Sequence, residues 1–483
     1  MNRKLLKPAT MGIAAVLLVL FMAVGVAEEE RTDASGQWKY VLEDGGATIT
    51  GYVEEPAGDL EIPGELDGVP VTGIGEKAFY EYNALTGVTI PEGVTSIGNS
   101  AFSNCESLIS VNIPASVTII EDMAFASCKN LAAVIIPDSV TSIGNLAFFE
   151  CNRLISVIIP GSVTHIGGYA FAGTNFNSMA IPGSVTHIGG FAFAGESLTS
   201  VTISEGVTSI GFNTFAGCLG LTSVTIPGSM TSIGDCAFSG CESLTSITLP
   251  EGVTSIGVEA FSGCKGLTSV TIPNNVTSIS NFTFFRCESL TSITIPEGVT
   301  SIGDRAFAFC SGLTSVTIPA GVTKIGQNPF AYIDVAPGNP VYGQADGVLF
   351  DKPQNMLVAY PCAREGAYTI PEGVLLINAR AFRMCNGLTS VIIPESVTNI
   401  GDNAFALCGG LVSMAIPASV TSIGNAAFFG CEYLTSVTIP ASVTSIGEKA
   451  FAGCEELTLT VMQGSYAEQY AKENEIPYEY VAE

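Results

Sequence analysis

Histidine, cysteine and paired carboxylates are the side chains from which metal, redox and hydrolytic chemistry is usually built. In this 483-residue chain each is placed in a way that limits what it can do. There are two histidines, His165 and His187, each within the same stretch, Ser-Val-Thr-His-Ile-Gly-Gly. If equivalent stretches stack, the two imidazoles stand ~5 Å apart. Two imidazoles could hold a metal ion, but a third ligand is not evident, and duplication of one unit carrying a surface histidine explains the pair without a metal. Fourteen cysteines are present. They include neither a CxxC pair nor a mixed Cys/His cluster, so a zinc site is not expected. The sequence lacks GxSxG, a phosphate-cradling loop and HExxH, and nothing positions a carboxylate pair for glycoside chemistry. Neither catalytic nor metal nor cofactor residues are therefore expected, and the chain does not read as an enzyme.

The cysteines become intelligible once the elements that carry them are found. A phenylalanine recurs at 79, 102, 125, 148, 171, 193, 215, 238, 261, 284, 307 and 330, and again at 382, 405, 428 and 451. The step is 23 residues, apart from two steps of 22 and one gap of 52. Twelve cysteines follow it by three residues: 105, 128, 151, 218, 241, 264, 287, 310, 385, 408, 431 and 454. They are expected to line up inside as reduced, buried thiols, because neighbours with parallel Cβ vectors ~4.8 Å apart are wider than disulfide geometry prefers. Cys236 and Cys362 fall off this register.

A typical unit reads LTSVTIPEGVTSIGDxAFxxC, and Leu267, Val270 and Ile272 show the L-x-x-L-x-L spacing of a leucine-rich repeat. Thr-Ser-Val-Thr-Ile alternates and is β-branched, hence a short strand; proline ends it. Val-Thr-Ser-Ile is a second extended segment with Val and Ile inward. Glycine allows a tight turn, and Asp or Asn (Asn99, Asp122, Asn145, Asp235, Asp304, Asp402, Asn425) is placed to cap one helical turn before Ala-Phe buries its ring. One unit has too little core to fold alone; stacked units share one. The fold class expected is a repeat solenoid with about 23 residues per coil, mostly β, with stacked short parallel strands and short helical turns, roughly 80 Å long at ~4.8 Å per coil.

These residues resemble the BspA-type leucine-rich repeat family. The likeness covers roughly residues 62–454 through IPxxVTxIGxxAFxxCxxLTSV, together with the N-terminal stretch 47–79 and the insert 338–361. The resemblance implies an exported or surface-exposed protein, in several members an adhesin for host matrix glycoproteins or other microbes. Repeat scaffolds carry many partners, so it implies the fold more firmly than the ligand.

Residues 1–27 read as a signal peptide: a basic start, an apolar run from Met11 to Ala27, and small residues at Gly25 and Ala27. Residues 28–61 form an N-terminal cap, with a hairpin from Trp38 through the turn at Glu43 to Gly46. The array runs over 62–330 and 370–455. Between them, 331–369 is an irregular insert, read as a double coil with a projecting hairpin in preference to a ligand-contacting loop. Residues 456–483 form a C-terminal cap whose helix starts at the capping box Ser465–Glu468, extends to about Glu473, and is stopped by Pro477. A monomer is expected, since two caps close both ends.

Lys and Arg number 18 and Asp and Glu 45, a formal net charge of −27. That excess disfavours nucleic acid and anionic lipid as partners. The acids after the strands (Glu92, Asp138, Glu251, Glu297, Glu372, Glu395) read as a solvated edge. Residues 161–215 depart most from the repeat: two steps shrink to 22, the cysteine after Phe171 is replaced by Thr174, and the capping position holds Gly168, Gly190 and Phe212. His165, Tyr169, His187, Phe191 and Phe212 gather there and form the candidate binding patch. The expected function is recognition of extracellular proteins or glycans by a secreted or cell-surface protein. Its rivals are an envelope-associated structural repeat protein and, with least support, a secreted hydrolase.

Overall fold

The computed structural model describes residues 29–43, 45–195, 197–314, 316–327, 334–362 and 364–482. The signal peptide and the repeat phenylalanine at 330 lie outside them. Each 23-residue unit makes one coil with two short strands and a double turn. The first strand pairs in parallel register with its equivalents, as in Ser246–Thr248, Ser269–Thr271 and Ser292–Thr294. The second does the same in Ser142–Ile143, His165–Ile166 and His187–Ile188. Two stacks of parallel strands therefore run along the solenoid, with alternate Leu, Val and Ile turned into a shared core. The phenylalanines form two internal columns, Phe79 to Phe307 and Phe382 to Phe451; in the first, Phe102, Phe125, Phe148 and Phe171 stack with centroids 5.4 Å apart and planes within 10°.

The expected helical turn before each phenylalanine is absent. Among the described residues the one helix is Tyr466–Glu473. Two residues around each Ala-Phe are left-handed, for example Ser100 (φ 55°) and Asn104 (φ 62°), and that breaks any helix. The backbone bonds instead to the next coil: Phe102 N donates to Ala124 O, and Phe125 N to Ala147 O, both at 2.8 Å. The Asp and Asn residues thus do not cap helices. Asp122 Oδ1 accepts from Asn145 N at 2.6 Å, Asp235 Oδ1 from Val258 N at 2.7 Å, and Asp402 Oδ1 from Asn425 N at 2.7 Å. Each side chain brackets its own coil to the one after it.

The repeat glycine is needed for space rather than for turning. Gly257 does not have a positive φ, but a Cβ on it would lie 2.4 Å from Asp235 Oδ1 and 2.5 Å from Asp235 N. Where the Asp or Asn of the preceding unit reaches the next coil, glycine leaves that side chain room; Glu121, Ser280 and Asn378 fill the same position in three other units.

Both ends are closed by aromatic side chains set edge-on to the phenylalanine columns. The N-terminal hairpin pairs Trp38–Glu43 with Gly46–Tyr52, and buried Trp38 meets Phe79 at 6.4 Å. At the other end Ser465 caps the helix by accepting from Glu468 N. Tyr470 meets Phe451 at 6.2 Å and accepts a hydrogen bond from Ala450 N.

The insert does not project. Val348, Leu349, Leu357 and Val358 of its hairpin (Val348–Asp351 with Met356–Ala359) are buried, and the two faces serve different cores. Leu349 and Val358 pack with the array on the N-terminal side, Val348 and Leu357 with the array on the C-terminal side. The hairpin is a septum between two cores. Tyr360 then takes the place of a repeat phenylalanine against Phe382, at 5.0 Å. Cys362 is not off the ladder either. It stands 23 residues before Cys385, with Cα atoms 4.3 Å apart, and the two form a disulfide. The expectation of unpaired ladder thiols fails at this one step.

Candidate functional site

The remaining ladder cysteines, with the exception of partly exposed Cys454, are buried. Their thiols donate to the carbonyl of the preceding coil's phenylalanine: Cys105 to Phe79 at 3.0 Å, Cys264 to Phe238 at 3.2 Å, Cys408 to Phe382 at 2.9 Å. Burial pushes the Cys105, Cys151, Cys264 and Cys408 thiols up to about 12. The thiolate is the nucleophile and the metal ligand, so these groups are chemically quiet. Among the described residues, no cluster of three or more His, Cys, Asp or Glu could hold a metal ion.

His165 and His187 sit side by side on exposed strand positions, ring centroids 6.0 Å apart, and Thr164 Oγ1 lies 2.8 Å from His165 Nδ1. Among the described residues no Cys, Asp or Glu joins the pair in a possible metal-holding group.

The aromatic residues come together on the turn edge. Tyr169 stacks on Phe191 (4.9 Å, 16°), and Phe191 meets Phe212 edge-on (6.5 Å, 84°). Phe149, which sequence reasoning did not single out, extends the row by an edge contact to Tyr169 (6.4 Å). Tyr169 is 41% and Phe212 58% exposed. Three consecutive units lack the bracket residue and carry Gly168, Gly190 and Phe212 in its place. A Cβ on Gly190 would lie 3.2 Å from Phe212 O and in ordinary contact, 3.6 Å, with Phe212 Cδ1. The left-handed φ of Tyr169 (55°) and Phe191 (58°) is not strain reserved for function, because Ser100, Cys236 and Lys449 adopt it at the same place in their coils. Loss of the bracket residue and gain of outward aromatic rings coincide in these coils. Such an uncharged row can stack on sugar rings or on apolar side chains.

A second exposed group was also missed. Ile109, Ile135, Ile155 and Ile158 are 52–84% exposed on the strand face, at outward positions where most units carry Thr. Reading the outward register unit by unit would have found them.

This architecture is that of a leucine-rich repeat solenoid with its accessible chemistry on the surface. The chain belongs to the BspA-type leucine-rich repeat family, whose repeat-region model, six copies long, matches residues 72–199, 164–276, 208–336 and 360–472. It is similar to a leucine-rich repeat protein from Bacteroides ovatus, with 26% identity over 92% of this chain and 98% of the other, and a TM-score of 0.46. It is also similar to a leucine rich cell surface protein from Faecalibacterium prausnitzii (27%, 92% and 97%, TM-score 0.33). Over a shorter stretch it resembles a leucine-rich repeat protein from Bacteroides capillosus (43%, 22% and 81%, TM-score 0.21). No curated protein matches it.

Proposed function

We propose that this chain is an exported recognition protein that binds an extracellular protein or glycan, and that the aromatic row at 149, 169, 191 and 212 is its principal contact. The observation that carries this is the row itself. Four rings follow one another in contact along the outside of adjacent coils. Aromatic groups are enriched where proteins meet partners, and exposing them without a partner is costly to solubility. Export is supported by the leader and by the family, whose members are mostly surface proteins. Among the described residues no helix is long and apolar enough to cross a membrane. A solenoid binds through many weak contacts across a long face, so a non-catalytic role follows from the same reading.

The test is saturable binding of the purified protein to a panel of matrix glycoproteins and glycans at ~0.15 M salt, where diffuse charge effects are partly screened. A ligand is expected, and the triple variant Y169A/F191A/F212A is expected to weaken it about tenfold or more without lowering Tm. Binding unaffected by the triple variant would remove the row from the reading. No ligand at all would favour a structural envelope role.

A further inference from the structure

We infer that the turn edge of the coils at 282–309 is a second contact surface, one that takes a short acidic segment of a partner protein. Its geometry differs from that of the aromatic row. Phe282 meets Phe285 edge-on (5.5 Å, 74°), and Phe285 meets Phe309 (5.4 Å, 90°). The guanidinium of Arg286 lies over Phe285 at 5.5 Å and over Phe309 at 5.8 Å, and that of Arg305 over Phe282 at 5.8 Å. Two guanidinium groups thus lie over three rings, 5.5–5.8 Å from the centroids.

The coil has no need of these residues. Where Phe285 and Arg286 stand, neighbouring units carry Ser239-Gly240 and Ser262-Gly263, and they stack equally well. The cluster therefore adds surface chemistry to a frame that is complete without it. Its charge is also left open. In a chain with 45 acids, neither Arg286 nor Arg305 has an acidic partner: the ion pairs among the described residues all use lysine. More positive charge lies beyond Arg305. Arg380 donates to Gln327 Oε1, and Arg383 is held below the usual arginine range by burial and by the charges of Arg305 and Arg380.

The occupant follows from what is exposed. Ring faces covered by guanidinium cannot stack on sugar, which sets this edge apart from the row at 149–212. A guanidinium over a ring still has N–H donors to offer, in the fork that fits a carboxylate. The net charge of −27 repels a long polyanion at distances beyond the ~8 Å screening length, whereas a short segment sees mainly the local cations. Phe309, 47% exposed, offers an apolar contact beside the donors. Two or more Asp or Glu side chains next to an apolar residue match both features.

The probe is a fluorescein-labelled 12-residue peptide of repeated Glu-Glu-Leu, titrated with the purified protein at ~0.15 M salt. A Gln-Gln-Leu peptide and heparin serve as comparisons. Saturable binding of the acidic peptide alone is expected. R286Q/R305Q should weaken it about tenfold. R286K/R305K, which keeps the charge but not the planar fork, should restore only part of the affinity. Y169A/F191A should leave it unchanged, so this surface stands or falls separately from the aromatic row. Equal binding of both peptides, binding of heparin without the acidic peptide, absence of saturable peptide binding, or indifference to R286Q/R305Q at an unchanged Tm would each overturn the assignment.

Discussion

A thiol pushed up to about 12 has roughly one part in 10,000 as thiolate at pH 8, since each unit is a factor of ten. Buried ladder thiols such as Cys264 should therefore resist iodoacetamide at pH 8 in the folded protein. Partly exposed Cys236 and Cys454 should be alkylated first, and the buried set should react only on unfolding. Mass spectrometry of the alkylated protein checks this. Early labelling of Cys264 would mean that the coils open far more readily than their packing implies. That these thiols are buried was legible in their constant offset of three from a buried ring. The pairing of Cys362 with Cys385 was not. The insert shortens the offset between ring and sulfur to two, from Tyr360 to Cys362, so a count anchored on the ring misplaces the cysteine. The candidate site was legible in the same uneven way. Tyr169, Phe191 and Phe212 stand out as departures from the consensus. Phe149 sits just after the repeat ring, where Tyr80, Phe285 and Phe429 also occur, and only contact with Tyr169 marks it.

At the scale of one coil, an Asp ahead of Ala-Phe looks alike in sequence whether it caps its own turn or holds the next coil, and the acceptor's partner 23 residues on is invisible. The two roles separate by experiment. D235A should expose the Val258 amide to faster hydrogen exchange, with little change at residues 236–238, and cost about 1–2 kcal/mol from one unsatisfied donor. Faster exchange confined to 236–238 would restore the helix-cap reading. Glycines divide likewise. G257A places a methyl group against Asp235 and should cost about 1–3 kcal/mol by forcing two coils apart. G217A, at φ 73° with open space around its Cβ, should cost only about 1 kcal/mol of left-handed strain. Thermal denaturation ranks the two. The C-terminal cap carries a pH signature. Glu468 is held down to about 2 by Lys472, with Gly464 N and the Tyr480 hydroxyl also donating to it. A depressed carboxylate stabilises the fold above its ordinary value of 4.5 and loses that effect as pH falls from there towards 2. Hydrogen-exchange protection factors of residues 466–473, which divide out the intrinsic pH dependence of exchange, should therefore fall over that window, and those of E468Q should be lower at neutral pH but flat across it.

Along the whole molecule, stacked repeats are held by nearest neighbours, so the array is most apt to divide where one coil is joined to the next by least. The septum is where the buried apolar core itself divides in two. On its C-terminal side the strand Met356–Ala359 runs directly into the stack through Leu376–Ile377, and the following coils repeat without interruption to the cap. On its N-terminal side Thr317–Ile318 pairs with Asp334–Val335, a ladder as long as the one between Met356–Leu357 and Leu376–Ile377, so the division lies in the side chains, which serve two separate cores. Much of the remaining join passes through buried Asn339. Its amide donates to Pro319 O and Val322 O at 2.9 and 3.0 Å, and its oxygen accepts from Val341 N and Tyr342 N. The period of 23 made the stack legible, but not this division. A gap of 52 says only that two coils are irregular, whereas alternate burial on the hairpin, Leu349 to one core and Val348 to the other, needs the fold. Two unfolding transitions are therefore expected in urea, each followed by hydrogen exchange of its own peptides. F405A, which removes a ring stacked 4.7 Å from Phe382, should lower the transition of the segment after 348 by about 3–5 kcal/mol and leave the other nearly in place. F238A should do the reverse. N339A should cost both segments little by themselves but spread the two midpoints apart, because it strips the donors and acceptors that make one core feel the other. A single transition that F405A and F238A shift equally would mean that the septum transmits as strongly as any ordinary coil.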